Sequence, residues 1–554
     1  MFKSTLNWIA AFAIITLISL SSCSDTTPSA QGVENSIPAN ASMVMLMNTK
    51  QLFEKADMEA LIQTSFYQDM LTELEKESSE AKAFFENPAS TGFDLNSNMG
   101  IYAAFNKEKK ENLGLEFALM LPISDITKIE AILEKAYEKE KFPVSKEENY
   151  TKASINNKTF LIYNDQLLAI TNFGEAAQIE AILNPSGDNI RSNENFNKHF
   201  KEGKDAMFWM KADEIVASVM EKNNSEAKLK SGLAMAQLSE SILTDNFMSA
   251  YYDFQKGEID AGVNFDFSPA LVEEMGNFMA SELAVDYSKY IPQENLGMAA
   301  SLGIDPAGIL NFISKRGFDK MIDGQLKMFQ LDLASIKDGI TGDMAMAAYP
   351  SSSEGKEPQI IMALGVKDKA FVQGLIDKYG VLAGIVKDGE NYVMMGGQSM
   401  DDPDKEPSKV VLHLKDDVLL ASNSMELINK SLKEGSNEIL AEMQKGWMGM
   451  YFNYDSFKKY EDQLMNAMMD ASDIAVSKML IEYNELKDIR ILCKGSNIAL
   501  KTSLQSSDIN SLKRLIEIAN KVYEDRETIM KEMEKSLDAE DEFEGFEEEF
   551  GEIL

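Results

Sequence analysis

Ile37-Pro38 and Ile291-Pro292 each open the same ordered series of strand and helix segments, so the chain reads as one folding unit written twice. Apolar runs follow at Met43 to Met47 and at Met298 to Leu302, and Ile101-Tyr102-Ala103-Ala104-Phe105 is echoed by Ala345-Met346-Ala347-Ala348-Tyr349. Leu121-Pro122-Ile123-Ser124-Asp125 runs into Ile129, Ile132 and Leu133. It matches Leu364-Gly365-Val366-Lys367-Asp368, which runs into Val372, Leu375 and Ile376, and each copy reads as a strand entering a helix. Leu167 to Asn172 returns as Val418 to Asn423, Met207 to Met210 as Gly449 to Phe452, and the turn Lys256-Gly257 as Lys494-Gly495. An Asp- and Pro-rich insertion, Asp401 to Ser408, accounts for the wider spacing in the second copy and reads as a surface loop.

Short turns such as Asn156-Asn157 join consecutive strands, which favours antiparallel pairing. The expected fold is therefore α+β: two tandem duplicated repeats, residues 37–285 and 286–530, with mainly antiparallel sheets and helices packed on one face. Ser268-Pro269 and Ser507-Asp508 place helix caps after the last strand of each repeat. From 531 to 554 the chain turns acidic, with Phe543, Phe546 and Phe550 interspersed, and reads as a disordered tail or a short docking segment.

The amino terminus constrains location rather than fold. Lys3 supplies a positive start, Trp8 to Leu20 an apolar stretch too short to span a bilayer, and Leu20-Ser21-Ser22-Cys23 a lipoprotein processing site. Residues 1–22 read as a signal peptide, Cys23 as the lipid attachment residue, and 23–36 as a flexible polar tether. Two acyl-bearing groups on Cys23 would suffice for stable anchoring to the membrane of the cell envelope, on a face and in a membrane that the sequence does not specify. With Cys23 lipidated, Cys493 is the other cysteine and no internal disulfide can form.

A formal charge of -36 disfavours nucleic acid, because phosphate binding needs Lys and Arg to displace counterions. The two histidines, His199 and His413, are too few for a His-rich metal site and sit in no HExxH context. Cys493 lies within the strand-like Ile491-Leu492-Cys493, more a buried hydrophobe than an activated thiolate. Asp401-Asp402-Pro403-Asp404 lacks the glycine and terminal glutamate of a calcium loop. The methionines, 34 in all, cluster at Met43-Met45-Met47, Met344-Met346, Met394-Met395 and Met448-Met450. They lie in apolar runs without His or Cys beside them, so core packing accounts for them better than copper. No catalytic, cofactor-binding or metal-ligating residues are expected.

The Leu20 to Cys23 site, the Ile37-Pro38 start with Met43-Val44-Met45-Leu46, and the duplicated strand-helix segments together resemble a domain-of-unknown-function family of Bacteroidota envelope lipoproteins. That resemblance implies location and architecture but no activity. The expectation is a non-enzymatic, lipid-anchored envelope protein offering a binding or interaction surface to an unidentified envelope protein or ligand. Two alternatives stand beside it: an envelope hydrolase of glycans or peptides using paired carboxylates, and a ligand-binding lipoprotein of a transport system with a deep apolar pocket between repeats.

Overall fold

The computed structural model describes residues 32 to 525, apart from internal segments of which the longest are 215–239, 396–408 and 459–483. Its first ten strands are β1 (Met43–Met47), β2 (Met99–Phe105), β3 (Leu115–Pro122), β4 (Val144–Lys146), β5 (Thr151–Asn156), β6 (Thr159–Tyr163), β7 (Leu167–Thr171), β8 (Ala206–Lys211), β9 (Phe247–Gln255) and β10 (Glu258–Asp266). The next ten are β11 (Met298–Gly303), β12 (Ile340–Tyr349), β13 (Gln359–Val366), β14 (Ile385–Asp388), β15 (Asn391–Met395), β16 (Lys409–Lys415), β17 (Val418–Ser422), β18 (Met448–Asn453), β19 (Leu486–Lys494) and β20 (Asn497–Leu504).

Every pairing among these strands is antiparallel. Spatially the first half runs β4-β5-β6-β7-β3-β2-β1-β8-β9-β10. The second half runs β14-β15-β16-β17-β13-β12-β11-β18-β19-β20, the same order strand for strand. The halves join where β10 meets β20, with Ala261 opposite Leu500 and Gly262 opposite Ala499 at the middle of the pair. Where repeats form separate sheets in the sequence expectation, the described residues form one continuous sheet. Pairing the last strand of each half removes two exposed edges that separate sheets would leave. The hairpins flanking this seam turn at Gly257 (φ 64°) and Gly495 (φ 57°), a backbone region that glycine adopts without strain.

Helices cover both faces of the sheet, a correction to the expected single face. Strand side chains alternate, so Val44 and Leu46 of β1 enter one core with Tyr102, Met120, Ile162 and Trp209, closed by Ile179, Ile182 and Phe196 from helices Ala176–Leu183 and Glu194–His199. Met45 and Met47 face the other way, into a core closed by Ile126, Ile129 and Leu133 of helix Ile126–Glu140. Period-2 alternation with apolar residues at both parities was the signal for two buried faces. The second half repeats the arrangement with helices Met425–Ser431 and Glu438–Met443 on one face and Lys369–Tyr379 on the other.

Asp125 and Asp368 cap the matched helices Ile126–Glu140 and Lys369–Tyr379, each carboxylate accepting two backbone N–H bonds. Asn172 and Asn423, just past β7 and β17, both accept from and donate to the backbone at the start of the neighbouring strand.

The folded body begins before the expected tether ends. Val33–Ser36 forms a 3-10 turn whose Val33 is buried in the first core, so the polar composition of 24–36 conceals an anchoring side chain. At the other terminus, helix 511–525 leaves β20 and crosses the seam to the first half. Leu512 and Ile516 pack with Phe53, Tyr67 and Leu71, and Lys513 pairs with Asp57 at 2.5 Å. The corresponding helix after β10, Pro269–Met275, reaches toward the second half, where Lys315 Nζ donates to Glu273 O at 3.4 Å. Helix 511–525 thus packs on the half it does not come from, whereas Pro269–Met275 packs against the turn Glu240–Leu243 of its own half.

Candidate functional site

The residues singled out by sequence are not gathered in one place. Cys23, the insertion 401–408 and the acidic tail 531–554 lie outside the described residues. His413 is buried on β16 with Nδ1 2.8 Å from Asn391 Oδ1, and burial pushes its pKa down. His199 ends helix Glu194–His199 in the other half, 3.6 Å from Asp266. Cys493 is buried on β19 opposite Met448, and burial pushes its thiol up, which suits a packed hydrophobe and not a nucleophile. Among the described residues, no group of three or more His, Cys, Asp or Glu side chains is placed to hold a metal ion.

The methionines divide into two populations. Met47, Met99, Met120, Met207 and Met443 are buried in the cores, as the apolar runs predict. Met344, Met362 and Met450 are 38%, 45% and 43% exposed, with Ile360 at 40%. Register makes these a patch: Met450 lies opposite Ala300, Ala300 opposite Met346, and Met346 opposite Met362. Met344 and Ile360 stand two residues along their strands from Met346 and Met362, on the same face. The result is an exposed apolar surface on β18, β11, β12 and β13 made largely of flexible thioethers, which adapt to varied partners.

A polar cluster occupies the opposite face of the sheet, at the end of the first half. Lys55 Nζ lies 2.7 Å from both Asp205 Oδ2 and Asp253 Oδ1, and Lys204 Nζ lies 3.0 Å from Asp253 Oδ2 and 2.8 Å from Asp260 Oδ2. Burial alone would raise the Asp253 carboxyl, but hydrogen bonds from Lys55, Gln255 and Lys204 outweigh it and hold the group well below the usual carboxylate range. For Asp205, fully buried, desolvation prevails and its pKa goes up despite Lys55 and the Phe254 N–H. The facing pair Asp253 and Asp260 is thus neutralised by ammonium groups, an arrangement of ion pairing more than of acid and base catalysis.

A model of the family described as Domain of unknown function (DUF4836) matches residues 33–512. The chain belongs to this family. No curated protein matches it. Among solved structures, the DUF4836 chain is matched by TP0453 in its crystal form I, at 11% identity over 44% of this chain and 81% of that one, with a TM-score of 0.24. That score is too low to carry an argument about fold or function.

Two features of this DUF4836 chain escaped sequence reasoning. The cluster of Lys55, Lys204, Asp205, Asp253 and Asp260 draws on segments far apart in sequence, and no spacing rule joins them. The exposed methionine patch was visible only as methionines in strands; which parity stays uncovered depends on where the helices dock.

Proposed function

We propose that this chain is a lipid-anchored cell-envelope protein, built from a duplicated unit and held by Cys23, that acts by binding a partner protein and carries out no catalysis. The single observation that carries the binding role is the exposed patch of Met344, Ile360, Met362 and Met450. Its chemistry specifies the occupant: an apolar protein segment to cover the thioethers, flanked by basic residues to suit a chain of formal charge -36. Covering each of these side chains would contribute on the order of 1 kcal/mol, given that they are already more than half buried. The anchor would hold a large acidic surface at the membrane, where encounter with a basic partner is favoured.

Fluorescence anisotropy with a leucine-rich peptide flanked by lysines tests this reading on the full chain in detergent. Saturable binding that falls at least tenfold in the double variant Met362→Asp/Met450→Asp supports it. Equal binding by that variant, or by the same peptide flanked by glutamates, contradicts it.

A further inference from the structure

We infer that the methionine patch is also a modification site, at which a hydroperoxide converts the exposed thioethers to sulfoxides and thereby releases the apolar partner; the release, though not the oxidation, rests on the binding role proposed above. Four thioethers meet there. Met450, Met346 and Met362 belong to one row of directly opposed residues on β18, β11, β12 and β13, with Ala300 between the first two, and Met344 stands two residues along β12 from Met346 on the same face. Strand spacing puts the ends of that row within about 14 Å of each other. Met344, Met362 and Met450 are exposed and Met346 is partly exposed, whereas Met47, Met99, Met120, Met207 and Met443 are buried in the cores.

The duplication shows that packing does not require methionine at these places. The matched row of the first half, on β8, β1, β2 and β3, runs Phe208, Met45, Ile101, Leu119. Leu119 and Met362 each precede by two the aligned residues Leu121 and Leu364, which fixes the correspondence. Phe208, Ile101 and Leu119 are partly exposed, like the methionines they match. The same place in the same sheet is therefore built in one half from hydrocarbon side chains that do not react with peroxides and in the other from thioethers that do. The step needs no further group from the protein. The Sδ lone pair attacks one peroxide oxygen, the S–O bond forms as the O–O bond breaks, and the proton on the transferred oxygen passes to the departing one; sulfur loses two electrons, and hydrogen peroxide leaves as water. The product is a polar, chiral side chain unsuited to an apolar segment, and reductases restore the thioether. Cys493 does not compete for the oxidant, because it is buried and burial pushes its thiol up, away from the reactive thiolate.

Hydrogen peroxide treatment of the full chain in detergent, followed by peptide mass mapping and by anisotropy with the lysine-flanked, leucine-rich peptide, tests both parts. Sulfoxide should form at Met344, Met362 and Met450 at least tenfold faster than at the buried Met120. Peptide affinity should fall at least tenfold and return on treatment with the two methionine sulfoxide reductases, one for each epimer. The variant Met344→Leu/Met346→Leu/Met362→Leu/Met450→Leu keeps the apolar surface and should bind the peptide before and after peroxide, even though Met321, 58% exposed on helix Asp319–Met328, is still oxidised. Oxidation of the patch no faster than of Met120, an affinity unmoved by the patch sulfoxides, or an equal loss of affinity in the leucine variant would overturn the inference. Failure of the untreated chain to bind the peptide would contradict the binding role and the release with it, while the oxidation map separately decides the modification site.

Discussion

Asp253 and Asp260 face each other directly across the β9–β10 hairpin, and the single ammonium of Lys204 bridges them at 3.0 and 2.8 Å. Two carboxylates opposed in a sheet repel one another, so the hairpin depends on that cation. Lys204→Met should cost ~3 kcal/mol, the order expected when a largely buried charge loses its partner. Urea unfolding monitored at Trp209 and the other tryptophans checks this; a loss under 1 kcal/mol would show that water already screens the pair.

The same cluster sets a pH dependence with a definite sign. The Asp253 carboxyl is depressed in the folded state, so its stabilisation is present above the unfolded carboxylate value of about 4 and is lost as pH falls through the folded value. Lys204 behaves oppositely. Burial would lower it, but the hydrogen bonds it donates to Asp260 and Asp253 prevail and raise it, so its contribution holds below about pH 10 and fades as pH climbs through the folded value. Asp253→Asn should therefore flatten the acid limb of the stability profile, measured as urea midpoint against pH from 6 to 3.

The seam between the halves has no room for a side chain at Gly262, where a Cβ would lie 2.4 Å from the Tyr251 ring. Tyr251 in turn stacks beneath Lys204, 4.7 Å from the ring centroid, so the ring is not free to retreat. Gly262→Val should destabilise the protein by ~2 kcal/mol through overpacking. Differential scanning calorimetry would register this as a lower midpoint for the whole molecule, because the β10–β20 pair joins the two halves into one sheet.

The C-terminal helix makes an asymmetric prediction. Truncation after Asn510 removes Leu512 and Ile516 from the core formed by Phe53, Tyr67 and Leu71. Hydrogen exchange should accelerate in helices Thr49–Ala56 and Ser65–Glu77, and stay unchanged in helix Met425–Ser431, which lies in the other half. Uniform acceleration would mean that the helix stabilises the sheet as a whole.

Much of the architecture was written locally. Lys256-Gly257 and Lys494-Gly495 mark the hairpins at β9–β10 and β19–β20, and Leu167 to Asn172 and Val418 to Asn423 fall on β7 and β17. Alternation and turn chemistry act over a few residues, so they survive in a single sequence. What was not legible is long-range. Pairing of Ala261 with Leu500, the crossing of Ile516 to Tyr67, and the approach of Arg191 to Glu34 bring together segments whose separation carries no period. Glu34 in particular was concealed in a stretch whose composition resembles a tether, because one buried valine, Val33, is enough to fix it to the body.

The anchor has its own direct check. Cells fed a radioactive fatty acid should label the wild-type chain and not Cys23→Ala, which should also leave the membrane fraction. Equal labelling of the two would refute attachment at Cys23.

The binding role itself is tested most directly in intact cells by a photo-crosslinking amino acid placed at Met362, within the patch, and at Glu426, exposed on helix Met425–Ser431 across the sheet. The account predicts a discrete covalent product from position 362 that disappears with Met450→Asp, that joins the chain to a protein segment with an apolar centre and basic flanks, and that position 426 does not yield. The same products from both positions, or a product at 362 indifferent to Met450→Asp, would contradict it.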